Sequence, residues 1–358
     1  MSSATTGPRK GRGAVSNADS RFSAHSHAVF HDDWDIQEDP APTLETQLIP
    51  ERSKTILTRN DSPDIPFEYS INPYKGCEHG CIYCYARPTH AYLSLSPGLD
   101  FETKLFYKPE AAQLLRQELA APGYRPSAIN LGSSTDPYQP CERELKLTRS
   151  VLEVLLEARH PVALVTKGVL VLRDLDLLAE MAKLDLVAVY ISLTTLDPAL
   201  KRILEPRAAS PGARLRAIRE LRAAGVPVGI NASPMIPRIN DHELERILEA
   251  ASEAGAQRAS TILVRLPREV SPLFQEWLAS HYPDRAQHVM SLIRDTRGGA
   301  DYQADWGSRF RGSGPVAELL RRRFELACRR LGLATGERLS LSAARFRPPS
   351  LGGQMGLF

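Results

Sequence analysis

The chain has 358 residues, 42% of them hydrophobic and 24% charged, with a formal net charge of +3. That balance belongs to an ordinary globular protein of one large or two small domains. It argues against a membrane protein, because no apolar run approaches the roughly 18 residues a span needs, and a charge this small gives no whole-chain attraction to nucleic acid.

Residues 1–50 are rich in Ser, Ala, Gly, Arg and Asp and show no sustained period, which predicts a disordered arm. Arg9, Lys10 and Arg12 are not followed by an apolar stretch, so no secretory signal is expected and the cytoplasm is the expected location. From residue 67 onward the pattern alternates. Extended segments are predicted at 67–72, 127–131, 161–165, 186–192, 226–231 and 260–266. Helical spacing is predicted at 109–121, 147–158, 170–184, 211–224, 241–254 and 271–280, with Asp241 as an N-cap. Continuous apolar strands alternating with helices imply a parallel sheet covered by helices. Chemistry in such folds sits just after the strands, which singles out Cys77 to Cys84, Ser133 to Asp136, Thr166 to Gly168, Ser192 to Thr195, Asn231 to Pro234, and Arg265.

After residue 297, glycines and the aromatics Tyr302, Trp306 and Phe310 predict a loop, followed by a helix at 315–331. Arg309, Arg311, Arg321, Arg322, Arg323, Arg329 and Arg330 crowd this region, as a solvated helix face or a phosphate-binding surface.

Five cysteines, an odd number, do not form a secreted disulfide framework. Cys77, Cys81 and Cys84 are spaced C-x3-C-x2-C, while Cys141 and Cys328 stand alone. A structural zinc site wants four ligands, usually as two pairs. His79 lies between the thiols, but no second pair follows. Three thiolates at this spacing suit a [4Fe-4S] cluster with one iron left open.

The cysteine spacing, with Tyr83 directly before the third thiol, resembles the signature of radical S-adenosylmethionine (radical SAM) enzymes. Asn72-Pro73-Tyr74, Gly76-Cys77, Ser134-Thr135-Asp136 and Thr166-Lys167 resemble the spore photoproduct lyase-like branch. The resemblance implies an α/β fold, a partial (β/α)6 TIM-like barrel, with core at 60–295, a small helical C-terminal extension at 296–345 and a flexible tail at 346–358. It implies Cys77, Cys81 and Cys84 as cluster ligands and SAM as the occupant of the open iron. It further implies Tyr83 near the adenine, Ser134 or Thr135 with Lys167 and Ser192 on the amino-acid end or ribose, and Asn231 and Ser233 on the ribose or adenine edge. An electron donor such as flavodoxin or ferredoxin is expected. The lyases carry a thiol just before the Ser/Thr-Asp segment, where this chain has Ser133 and Ser134. Cys141 or Tyr85 is the candidate for relaying a hydrogen atom in its place.

The last residues, Gln354 to Phe358, resemble the bacterial sliding-clamp-binding pentapeptide. A glutamine and two large apolar anchors on a linker suit a partner's groove. The expected function is radical SAM chemistry in DNA repair or nucleic-acid modification. The alternatives are a small-molecule, RNA or protein substrate, and a non-catalytic iron–sulfur protein that binds nucleic acid.

Overall fold

The computed structural model describes residues 8–22, 44–336 and 341–351. Ten strands run in chain order: β1 Gln47–Pro50, β2 Leu57–Arg59, β3 Tyr69–Ile71, β4 Tyr74–Lys75, β5 Lys104–Tyr107, β6 Ile129–Leu131, β7 Val162–Thr166, β8 Val187–Ser192, β9 Val228–Met235 and β10 Arg258–Leu263. Seven of them form one sheet in the order β10-β9-β8-β7-β6-β3-β2. All neighbours from β3 to β10 pair in parallel, and β2 runs antiparallel along the β3 edge. Six parallel strands adjacent in chain order are the six predicted strand–helix units. They make the partial barrel that the sequence implies.

The helices are α1 Leu99–Thr103, α2 Ala111–Leu119, α3 Glu142–Leu145, α4 Leu147–Glu157, α5 Leu175–Ala182, α6 Pro198–Leu204, α7 Pro211–Ala223, α8 Leu244–Glu253, α9 Val270–His281, α10 Ala286–Asp295 and α11 Gly314–Leu331. Local chemistry sets several starts. Ser210 accepts a bond from the Ala213 amide, and Pro211 occupies the first turn of α7, where no amide is needed. Asp241 is not the cap of α8. Its carboxylate accepts from Arg238 N (2.8 Å), and a short 3-10 turn precedes the helix. The core lies between the sheet and the helices, where Ile129, Leu131, Leu164, Val187, Val189, Ile191 and Ile230 are buried against Val151, Leu155, Leu178, Ile218, Leu221 and Ile247. Such strands are largely apolar because both faces are covered.

Two features were not expected from the sequence. One is a three-stranded sheet of β1, β5 and β4 beside the barrel. The other lies in the arm. Residues 12–16, placed by composition in a disordered segment, are buried, with Ala14 0% and Val15 2% exposed. Of the predicted flexible tail, residues 346–351 are described, with Phe346 packed against Tyr124 and His160, and the Gln354–Phe358 motif lies outside the described residues. Among the described residues no helix is long and apolar enough to cross a membrane.

Candidate radical SAM site

The loop carrying the three cysteines follows β4 and is clamped from both ends. Gly76 takes φ +81°, and a β-carbon there would lie within 2.9 Å of Leu105, His90 and the Phe101 carbonyl. Only glycine fits. Cys77 N donates to Phe101 O (2.9 Å) and Ile82 N to Leu204 O (3.2 Å). Gln139 bridges the loop, accepting from Glu78 N (2.9 Å) and donating to Gly76 O (3.3 Å).

The outer side of the loop is closed by Arg87 and by the N-terminal segment. Arg87 is fully buried. It donates to the carbonyls of Cys81 (3.0 Å), Gly80 (3.2 Å) and Gly98 (2.9 Å), and pairs with Glu102 at 2.5 Å. The other acceptor sites of Glu102 take Gly13 N (3.0 Å) and Ala14 N (2.9 Å). Arg12 donates to Glu102 O (3.0 Å). At Gly13 a β-carbon would lie 1.8 Å from Gly80 O, so the strap rests directly on the backbone between Cys77 and Cys81.

Cys77 and Cys81 are each 7% exposed, and Cys84 is half-buried. Burial drives the Cys77 thiol far up and Cys81 to about 12, while Lys167 pulls Cys81 the other way. Thiolates are the ligand form, so these sites call for a strong positive charge among them, as iron supplies. Among the described residues no three His, Cys, Asp or Glu side chains converge on a single ion. A cubane cluster does not ask for convergence, because each cysteine ligates its own iron. The donor set fits a cluster better than a mononuclear metal.

The strand ends above the loop are polar. Asp136, after β6, accepts from Thr166 Oγ1 (2.6 Å), Lys167 N (2.6 Å) and Tyr138 N (2.9 Å), and lies 3.2 Å from His79 Nδ1. Burial would raise its pKa. His79 and these donors outweigh that and hold the carboxyl well below its ordinary value. Asp136 therefore ties β6, β7 and the cysteine loop together. Asn72 accepts from Ser134 N (2.8 Å) and donates to Ser133 Oγ (2.9 Å), and Thr135 Oγ1 donates to Tyr74 O (3.2 Å). Ser134 and Thr135 thus form the turn, with the Thr135 hydroxyl spent on backbone.

Tyr83 is buried. Its hydroxyl meets Glu205 and Thr194 (3.2 Å), and the Lys167 ammonium stands 5.8 Å from its ring centroid. Among the described residues that ammonium has no hydrogen bond or ion pair. Burial pulls its pKa down, but Cys81 and Glu205 outweigh this and keep it charged. Ser192 is buried with one long contact to Ser233 O (3.5 Å). Asn231 accepts from Ser260 Oγ (2.6 Å). The Ser233 hydroxyl is buried with no partner among the described residues. A hydroxyl without a hydrogen-bond partner and an ammonium facing only a ring are groups that fit a polar ligand.

Two relay candidates separate. Cys141 is packed with Tyr74, Leu105 and Leu147, in an apolar cluster distinct from the one holding Cys77 and Cys84, and burial keeps it a thiol. Tyr85 is 49% exposed, and its hydroxyl donates to Ser133 O, at the turn where the lyases carry their thiol. The structure brings Tyr85, not Cys141, to that turn.

Sequence reasoning missed Glu205. It is fully buried after α6 and pairs with Arg214 at 2.5 Å. Burial would raise it, but Arg214, then Lys167, Thr194 and Tyr83, lower its pKa to about 2. Its position before Pro206, between a helix and a cap, was the available signal. The C-terminal arginines resolve as mostly structural. Arg321 and Arg322 pair with Glu318, Arg323 with Glu245, Arg330 with Glu249, and Arg309 with Asp64. The solvated-face reading prevails for α11 over a phosphate-binding surface.

A partial barrel of six parallel strands, with C-x3-C-x2-C after the first and polar groups on the rest, defines an enzyme class that binds SAM beside an iron–sulfur cluster. The Radical SAM superfamily model matches residues 71–251, and the chain belongs to that superfamily. An uncharacterized protein of Mycobacterium tuberculosis (strain ATCC 25618 / H37Rv) is 38% identical over 232 residues, covering 64% of this chain and 68% of that protein. An uncharacterized protein of Methanocaldococcus jannaschii is 29% identical over 176 residues, covering 49% of this chain and 63% of that one. Among solved structures, a spore photoproduct lyase mutant superposes with a TM-score of 0.58 at 16% identity, over 80% of this chain and 81% of that one. Spore photoproduct lyase complexed with dinucleoside spore photoproduct gives 0.56 at 17%, over 80% and 81%. A lyase mutant with bound AdoMet and the same dinucleoside gives 0.56 at 15%, over 80% of each chain. At these identities the likeness is one of fold.

Proposed function

We propose that the chain is a radical SAM enzyme acting on nucleic acid, in DNA repair or base modification. The observation that carries the radical SAM chemistry is the set of three clustered thiols, two buried and one half-buried, with a Ser233 hydroxyl that has no hydrogen-bond partner among the described residues and a Lys167 ammonium that stands over the Tyr83 ring. Cys77, Cys81 and Cys84 would hold a [4Fe-4S] cluster, which with SAM bound would supply the one electron that breaks the sulfonium C5′–S bond, leaving methionine and a 5′-deoxyadenosyl radical.

This chain's residues do the holding. Lys167 offers an ammonium to the SAM carboxylate. Ser192 offers a hydroxyl to the amino-acid end or ribose, and Asn231 and Ser233 offer amide and hydroxyl groups to the ribose or adenine edge. Tyr83 is fixed by Glu205 and Thr194 and walls off that side. Asp136 keeps the Lys167 backbone in place through its amide. Tyr85, held at Ser133, is the proposed relay for a hydrogen atom.

Anaerobic reconstitution with iron and sulfide, then dithionite and SAM, tests the chemistry. Formation of 5′-deoxyadenosine is expected, and its loss in each of Cys77→Ala, Cys81→Ala and Cys84→Ala. No product from a protein with a full iron complement would leave a non-catalytic iron–sulfur protein, and an active single variant would reject the ligand assignment.

The nucleic-acid reading is supported by the fold shared with spore photoproduct lyase and by the Gln354–Phe358 motif. A sliding clamp is the proposed partner of that motif, and flavodoxin or ferredoxin the proposed electron donor. Removing residues 354–358 is expected to abolish clamp binding. Equal binding with and without them would remove the motif as the contact, and no binding by the full chain would detach the protein from the clamp.

A further inference from the structure

Three arginines meet where β10 leaves the barrel, and two of them bond protein oxygens, although the Nε of each has no hydrogen-bond partner among the described residues. Arg297 is buried and donates to the carbonyls of Val264 (2.9 Å), Arg309 (2.8 Å) and Leu263 (3.3 Å). Arg309 pairs with Asp64 at 2.8 Å and donates to Ser62 Oγ. Arg265 differs. Its guanidinium lies 5.0 Å from the Tyr85 ring centroid and 4.4 Å from that of Phe310. Among the described residues it makes no hydrogen bond and no ion pair.

Two rings can stabilise the faces of a guanidinium, but they leave its N–H donors unanswered. Burial pulls the Arg265 pKa down, with Arg309 adding to the effect, while Tyr302, Tyr85 and Asp64 oppose it. The cation is thus held partly dehydrated beside another cation. A free edge of this kind matches the paired oxygens of a phosphate.

The position is also telling. Tyr85 follows Cys84 directly and is anchored at Ser133. Phe310 belongs to the loop before α11, where Trp306 is 62% exposed and offers an open face for a base. The Arg265 cation therefore joins the end of the cysteine loop, through Tyr85, to the loop before α11, through Phe310.

We propose that Arg265, braced between Tyr85 and Phe310, is a substrate anchor that grips a backbone phosphate of a single-stranded or extruded segment of nucleic acid. This assignment rests on the nucleic-acid reading above and deepens it. The bracing rings fix the guanidinium before the substrate arrives, so less side-chain freedom is lost on binding. The cluster and SAM are not part of the contact.

The test uses the full-length holoenzyme and a fluorescein-labelled single-stranded oligonucleotide, with affinity read by anisotropy at several salt concentrations. Arg265→Gln is expected to weaken binding about tenfold and to lower the salt slope by about one, the signature of one lost phosphate contact. Arg265→Lys keeps the charge but not the fork and should fall between. Arg322→Gln, on the exposed face of α11, should bind as the wild type does. Equal affinity for wild type and Arg265→Gln overturns the anchor, as does an equal loss in Arg265→Gln and Arg322→Gln. If the wild type binds no oligonucleotide, the nucleic-acid reading fails by itself. Inorganic phosphate titrated against tryptophan fluorescence then decides the anion site. A saturable signal absent from Arg265→Gln supports a phosphate subsite for a smaller substrate, and no signal overturns it.

Discussion

The two sides of the cysteine loop handle charge in opposite ways. On the outer side every buried charge is answered within the chain: Glu102 takes Arg87, Gly13 N and Ala14 N, and Arg87 spends its donors on the carbonyls of the loop. On the other side the Ser233 hydroxyl has no hydrogen-bond partner among the described residues, and Lys167 and Arg265 meet aromatic rings rather than carboxylates. Burial makes an unpaired polar group costly, so the contrast separates residues that build the fold from residues that wait for a ligand. Glu205 lies on the boundary, paired with Arg214 yet reaching Lys167 by charge.

Breaking the outer side should have the largest effect. Glu102→Ala strands Arg87, which is fully buried, and should cost about 3–5 kcal/mol of unfolding free energy in urea denaturation. A midpoint equal to that of the wild type would mean the strap does not close the loop. The boundary comes next. The folded-state pKa of Glu205 is lowered to about 2 from 4.5. Its contribution is therefore fully present above about pH 4.5 and is lost as the pH falls toward 2, on the order of 3 kcal/mol in all. Urea midpoints of the metal-free protein, taken from pH 6 downward, should fall less steeply for Glu205→Gln than for the wild type over that window. Parallel curves would show that the carboxylate is not held ionised by Arg214. The inner side should give the smallest change in stability and a selective one in binding. Lys167→Met removes an ammonium that makes no hydrogen bond or ion pair among the described residues and acts on Glu205 only by charge at a distance, so the unfolding midpoint should move least of the three. SAM affinity in equilibrium dialysis should fall about tenfold, as for a lost charged hydrogen bond. Unchanged affinity would remove Lys167 from the SAM site.

The barrel was legible because most of its strands are largely apolar, β8 almost throughout, and its helices carry a 3.6-residue period. All six parallel strands appear within a few residues of their predicted places. The thiols were legible because three cysteines at that spacing have few other uses. The strap was not. Arg12 to Ser16 has no apolar period, and its order comes from backbone amides meeting a carboxylate almost ninety positions away, with |i−j| of 89 and 88. Glu205 escaped for a related reason: its partners Arg214, Thr194 and Tyr83 come from three separate segments. Long-range polar pairing leaves no periodic mark, whereas apolar burial does. The arginine crowd near the C-terminus shows the reverse error, since charge density in the sequence does not reveal the glutamates that α8 and α11 supply to it.

An incomplete barrel also has two open flanks, and a bare flank of a parallel sheet invites pairing with another molecule. Here the β3 flank is covered by β2. The β10 flank is latched by Ala334, whose amide donates to Gln257 O (3.0 Å) and whose carbonyl accepts from Ala259 N (3.0 Å), just after α11 lays Leu320, Phe324 and Ala327 onto the core. The C-terminal helix thus guards solubility as well as packing. A version of this protein cut before residue 314 would bare β10 along with an apolar groove, and its natural fate is self-association rather than clean unfolding.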